Sequence, residues 1–268
     1  MKKATGLYYD IESNLHALDA RFKLPAAFIL ILLISALAQN AWPVMLFIIF
    51  IILGLQIASE IPFVVLYGRS LIVLPFLLAA IPVLFTADGP PLLTFNLFHH
   101  VFAIAPAGLE HFVSIFLKSW LSVQVAILLA ATTPMMELLN ALRVYHVPKT
   151  IVMVFRLMWR YLSIMFGKAQ RMMRARAARS VYRYDTLVPR HSFQRFSWQA
   201  QVTGSMAGSL FMQSLEQSER VYYAMLSRGF DGEIRLLPQP GLSGKQKIII
   251  LLWILFCLIL FLLGTLFG

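Results

Sequence analysis

The side chains able to do chemistry in this sequence are few and far apart. Glu60, Glu110 and Glu137 are the carboxylates closest to apolar segments, and acid–base work needs such groups to converge on one substrate. Their wide separation along the chain speaks against that. His99-His100 is the one histidine pair. Adjacent residues on a helix or strand point to different sides, which makes the pair a poor metal-ligand set. Cys257 is the single cysteine, so an internal disulfide is excluded, and its apolar neighbours suggest plain membrane filling. No phosphate loop is present, because Gly241-Leu242-Ser243-Gly244-Lys245 lacks the spacing. The H-E-x-x-H and G-x-S-x-G patterns are missing too. The expectation is therefore a chain with no catalytic, cofactor-binding or metal-ligating residues of its own, and no ATP hydrolysis by itself.

The basic residues carry more information. Lys and Arg number 23 against 12 Asp and Glu, and residues 134–247 hold 17 of the basic and 6 of the acidic ones, so the net charge of +11 resides there. Basic segments bind nucleic acid, anionic lipid or acidic protein surfaces. Here the arginines between 156 and 179 alternate with Met and Ala instead of aromatic side chains, which disfavours nucleic acid. Ten of the 12 methionines lie within 134–225, which suits helices that repack against changing neighbours as well as it suits core filling.

The elements that must carry these groups are membrane helices. Hydrophobic residues make up 59% of the chain and charged ones only 13%, with a mean hydropathy of +0.75. A water-soluble domain is about half apolar and roughly a quarter charged. Spanning helices need about 20 mostly apolar residues. Leu24–Ala38, Trp42–Ile57, Ser70–Phe85, His111–Ala131 and Ile248–Phe267 are the candidates. Pro75 and Pro82 should kink the third. Lys118 lies about two turns inside the fourth and is expected to snorkel to the outer surface. Residues 86–110 contain no Lys or Arg and should face outward, whereas Lys2, Lys3, Arg21, Lys23, Arg69 and the basic segment should face inward. Five spans satisfy this, with the N-terminus cytoplasmic and the C-terminus outside. Asp10, Glu12 and Asp19 precede the first apolar run, unlike a cleavable signal peptide. A bacterial inner membrane is the natural location.

The resulting organisation is an all-α integral membrane protein in three parts. Residues 1–133 form a four-span membrane region, 134–247 a cytoplasmic helical region, and 248–268 a last transmembrane helix. Thr133 should cap a helix whose first residue is Pro134 and which ends near Val147-Pro148. Thr150–Arg179 reads as one long helix, and a second runs from about Ser205 to Arg228 with Glu216 and Arg220 spaced as an i,i+4 pair. Gly229 is placed as a left-handed helix stop.

These two long helices end in short motifs, Ala178-Arg179-Ser180 and Ser227-Arg228-Gly229. The pair resembles the twin Ala-Arg-Gly signatures of the transmembrane (T) component of energy-coupling-factor (ECF) transporters. His16-Ala17-Leu18-Asp19-Ala20-Arg21-Phe22-Lys23-Leu24 is similar to that family's H-x-L-D-P-R-x-K-L opening, with Ala20 in place of Pro, and Thr132-Thr133-Pro134 is similar to its entry into the cytoplasmic part. The stretch from Glu219 to Gly232 resembles the cobalt/nickel (CbiQ-like) branch most. Ser180 stands where the first motif usually has Gly. The resemblance implies a non-catalytic scaffold that joins two ABC-type ATPase subunits to a separate substrate-binding membrane (S) subunit, surrounded by lipid and without nucleic acid. It implies cobalt or nickel uptake, with Ala178, Arg179, Ser180, Ser227, Arg228 and Gly229 docking on the ATPases. The same scaffold in a vitamin importer is the near alternative, and a membrane-bound lipid-modifying enzyme the distant one.

Overall fold

A computed structural model describes residues 8–9, 11, 13, 15–38, 41–82, 84, 93–97, 100–104, 106–145, 147–180, 192–232 and 244–267. The apolar segments form α1 (Ala20–Ala36), α2 (Trp42–Ser59), α3 (Phe63–Ser70), α4 (Leu74–Ala80), α5 (Pro106–Thr132) and α9 (Gly244–Phe267). Between α5 and α9 lie α6 (Met135–Val144), α7 (Lys149–Ser180) and α8 (Ser192–Leu226). The architecture is that of an all-α integral membrane protein. One small exception is an antiparallel hairpin of β1 (Leu93–Leu97) and β2 (His100–Ile104), in which Leu97 pairs with His100. It falls in the segment expected to be a plain outer loop, and His99 lies outside the described residues.

The chain divides into two compact units, one of residues 1–144 with 239–268 and one of 145–238. In the first, α1 is the central helix. Leu30, Leu33 and Ile34 of α1 meet Val44, Ile48 and Ile52 of α2, Leu121 and Val125 of α5, and Cys257 and Leu260 of α9. Burying these side chains lets the helices exclude lipid from one seam while Phe28, Phe50, Leu251 and Leu262 stay exposed around it. Close approach is built in at Gly264, where a Cβ would strike the Leu37 side chain. Polar ties cross the apolar packing. Trp253 Nε1 donates to the Ala26 carbonyl at 3.3 Å, Trp120 Nε1 donates to Ser70 Oγ at 3.1 Å, and Gln56 Nε2 donates to Gln124 Oε1 at 3.1 Å. Such bonds join helices where hydrophobicity alone cannot, since lipid is as apolar as leucine.

Several expectations shift. The third apolar segment starts earlier than Ser70, at Phe63 just after Pro62, and is broken by a 3-10 turn over Leu71–Val73. Pro75 is the second residue of α4, in the first turn, where its missing N–H breaks no intrahelical bond. The Nζ of Lys118 donates to the carbonyl of Leu37, the C-cap residue just past α1, where a cation suits the negative end of the helix dipole. Thr133 is not the helix cap. Its Oγ1 is buried with no hydrogen-bond partner among the described residues, and Pro134 supplies the first carbonyl of α6 to Glu137 and Leu138. The second long basic helix begins at Ser192, thirteen residues before the expected Ser205.

By length and composition α2, residues Gly108–Thr132, residues Lys149–Arg179 and residues Ile248–Leu266 could each cross a membrane. The inclusion of α7 is unexpected. Its exposed apolar side chains Ile151, Phe155, Met158, Leu162 and Phe166 recur every three or four residues, so they share one face. Arg156 and Arg160 fall on the opposite face by the same 100° rotation per residue.

Candidate functional site

The second unit presents the two arginine motifs at helix ends. Helix α7 carries Lys168, Arg171, Arg174, Arg176 and Arg179 along its last turns and ends at Ser180. It is tied to α8 at two places. Lys168 Nζ donates to Gln217 Oε1 at 3.1 Å, and the Arg176 guanidinium lies 5.6 Å from the centre of the Trp198 ring. A cation over an indole face is attractive, so Arg176 pins the end of α7 near the start of α8.

The end of α8 is a built helix stop. Phe230 N–H donates to the Met225 carbonyl at 3.1 Å and Gly229 N–H to the Leu226 carbonyl at 2.9 Å. These are the paired bonds of a Schellman motif, with Gly229 at φ +78° in its left-handed position and Arg228 just ahead of it. The Glu216–Arg220 pair forms at 3.6 Å, with Arg220 about two turns before Arg228. Tyr222 and Tyr223 flank the tip with ring centres 5.9 Å apart, and both are exposed. Among the described residues a Cβ at Gly229 meets nothing, so the cost of Gly229→Ala is that of the backbone. Gly229→Ala should destabilise this helix end by about 1 kcal/mol, seen as faster amide exchange over 225–230. Unchanged exchange would contradict the geometry.

Ala178, Arg179, Ser227, Arg228 and Gly229 are all exposed, and Ser180 closes α7. Neither Arg179 nor Arg228 has an ion pair among the described residues. The structure does not bring the two motifs together. Arg179 is one turn from Arg176, which lies on Trp198, and from Trp198 to Leu226 the helix rises about 42 Å. Two free guanidinium forks about 40 Å apart can grip two separate acidic surfaces, but not one small anion. Among the described residues no three His, Cys, Asp or Glu side chains gather as a metal site.

Residues 12–239 match the CbiQ family of cobalt transport proteins. The chain belongs to that family. It is 28% identical over 240 residues to the energy-coupling factor transporter transmembrane protein EcfT 1 of Listeria monocytogenes, which covers 86% of this chain and 85% of that protein. It is 27% identical over 245 residues to an uncharacterized protein of Methanocaldococcus jannaschii, covering 89% and 79% of the two chains. As a CbiQ-family protein it is a multi-pass membrane component of a transporter, the T component of the ECF class.

The CbiQ-family opening motif turns out to be a second polar centre, in the first unit, to which the sequence alone assigned no task. Lys23 is buried at the start of α1, one residue before the apolar run. Burial lowers the pKa of its ammonium below the usual lysine range, and the carboxylates of Glu137 and Asp19 oppose that shift. Its Nζ donates to the carbonyls of His16 and Thr132, each at 3.2 Å. The 109-residue separation from Thr132 hid that contact in the sequence.

Proposed function

We propose that this protein is the coupling subunit of an ATP-driven importer of cobalt or nickel. It joins two ABC-type ATPase subunits to a separate substrate-binding membrane subunit and turns ATP-driven closure into movement of its own helices. The observation that carries this reading is the pair of exposed arginines about 40 Å apart at the ends of the linked helices α7 and α8. An arginine at a helix C-terminus complements the dipole, and its planar fork suits a bidentate carboxylate. Ala178, Arg179 and Ser180 dock on one ATPase, and Ser227, Arg228 and Gly229 on the other. The name of the family model, cobalt transport protein, supports the metal ion as cargo. The sequence has no phosphate loop, so in this reading ATP is bound and split by the partners.

In this reading residues 134–247 face the cytoplasm of a bacterial inner membrane, with the N-terminus on the same side. Helix α7 then lies along the membrane surface and does not cross it. Its apolar face supports that placement, because crossing would carry Arg156 and Arg160 into hydrocarbon at about 2.5–3.5 kcal/mol each. A surface position leaves both in water. A reporter fused after Gly268 should read external and one inserted near Arg190 cytoplasmic. Both on one side would refute the five-span arrangement.

The direct test is affinity purification of the tagged chain from its native membranes in mild detergent. Two ATPase subunits should accompany it. A preparation that stays free of ATPases in several detergents would overturn the reading.

A further inference from the structure

The last turn of α5 and the first turn of α6 form an elbow at Thr132-Thr133-Pro134. A helix end leaves carbonyls without intrahelical partners, and Pro134 removes one further donor from this corner. Two of those carbonyls are taken by the N-terminal segment. Tyr9 N–H donates to the Ala131 carbonyl at 3.0 Å, and Lys23 Nζ donates to the Thr132 carbonyl at 3.2 Å across 109 residues. The segment is knotted onto itself. His16 bonds Ser13 Oγ at 2.7 Å through Nδ1 and the Tyr9 carbonyl at 3.0 Å through Nε2, and the Arg69 guanidinium lies 5.3 Å from the centre of the Tyr9 ring.

Charge favours the same arrangement. The ammonium sits at the negative C-terminal end of α5. Facing it are two carboxylates from helix starts, Asp19 at the N-cap of α1 and Glu137 in the first turn of α6. A polar cavity of about 510 Å³ lined by Asp19, Arg21, Glu137, Asn140 and Gln246 keeps both carboxylates wet. Lys23 thus ties the N-terminal segment and the start of α1 to the end of α5, with the Glu137 carboxylate of α6 acting on its charge. In sequence, α6 is followed by the basic helices of the second unit.

We propose that Lys23 is a positioning residue for transport, whose ammonium clasps the α5–α6 elbow so that α6 and the spans move together. The proposal rests on the coupling function above. Without the clasp, displacement of α6 is absorbed at the elbow and is not passed on to α5. ATPase docking, which involves the tips of α7 and α8, is untouched.

The test uses the complete complex in proteoliposomes, with metal uptake and ATP hydrolysis measured in parallel and ATPase content checked by gel. Lys23→Met keeps the stem and removes the donors. It should retain the ATPases and their hydrolysis while metal ions moved per ATP fall about tenfold, the effect of losing a charged hydrogen bond. Lys23→Arg, which can still donate to both carbonyls, should recover most of the ratio. Glu137→Gln, which preserves shape and removes one facing charge, should lower the ratio less. A Lys23→Met complex with the native ratio would overturn the proposal. Should that variant fail to assemble, an unchanged ratio in Glu137→Gln would overturn it instead. Absence of ATPases from the wild-type preparation is a different result, and removes the coupling function together with this role for Lys23.

Discussion

A complex carrying both Arg179→Ala and Arg228→Ala should lose its ATPases on purification, while the chain itself inserts and accumulates normally. Each guanidinium is exposed in the isolated chain, so its removal costs the fold little. In the proposed assembly each would meet a buried acidic partner. Truncating one side of such a bond typically costs about 2–5 kcal/mol, because the other charge is left desolvated and unpaired. That is about 30-fold to several thousandfold in affinity per site. The two sites are about 40 Å apart and share no partner, so their effects should add. Either single variant should therefore weaken docking measurably, and the pair should abolish it. Arg228→Lys should rescue only in part, since a point charge cannot reproduce the fork. A double variant that assembles and transports at the native rate would leave both residues as ordinary helix-end charges.

The second large effect lies inside the membrane helices. Gln56 is 1% exposed and Gln124 3%, and the one bond between them joins α2 to α5. Their other amide atoms, Gln56 Oε1 and Gln124 Nε2, are buried and make no further hydrogen bond among the described residues. Gln124→Leu removes the acceptor and leaves the whole Gln56 amide in an apolar surround. This should destabilise the folded protein by about 1–3 kcal/mol. Replacing both glutamines by leucine should recover most of that loss, because no buried polar group is then left without a partner. Thermal unfolding in detergent of the two single variants and the double variant closes the cycle. A Gln124→Leu protein as stable as the native one, or a double variant worse than either single, would contradict this role.

The readability of the sequence follows the range of the interactions involved. Gly229 was legible because a left-handed stop has a local signature, a glycine directly after a charged helix end. The Glu216–Arg220 pair was legible for the same reason, being four residues apart on one helix. The apolar runs that became α1, α2, α5 and α9 announce themselves by length and hydropathy alone. The start of α8 did not. Gly204 and Gly208 lower local helix propensity, yet the helix passes straight through them, and contacts such as Arg176 on Trp198 lie on its earlier turns. Thr133 looked like a cap because Thr-Pro usually is one, but the chain instead buries its hydroxyl at the elbow. The sequence marks Lys118 and Lys23 as charges near the membrane surface, but the helix-end carbonyls they bond lie 81 and 109 residues away, and no spacing rule reaches so far. The hairpin over 93–104 was missed because its strands are too short for an alternating pattern to stand out.

The central claim is that this chain does no chemistry itself and transmits the ATPases' work to a separate substrate-binding subunit. The most direct measurement is ATP-dependent uptake of cobalt or nickel into proteoliposomes, with each component left out in turn. Uptake should require this chain, both ATPases and the substrate-binding subunit together, and the purified chain alone should neither bind nor hydrolyse ATP. ATP-driven uptake that continues at the same rate without this chain, or ATP turnover by the chain in the absence of ATPases, would contradict the account.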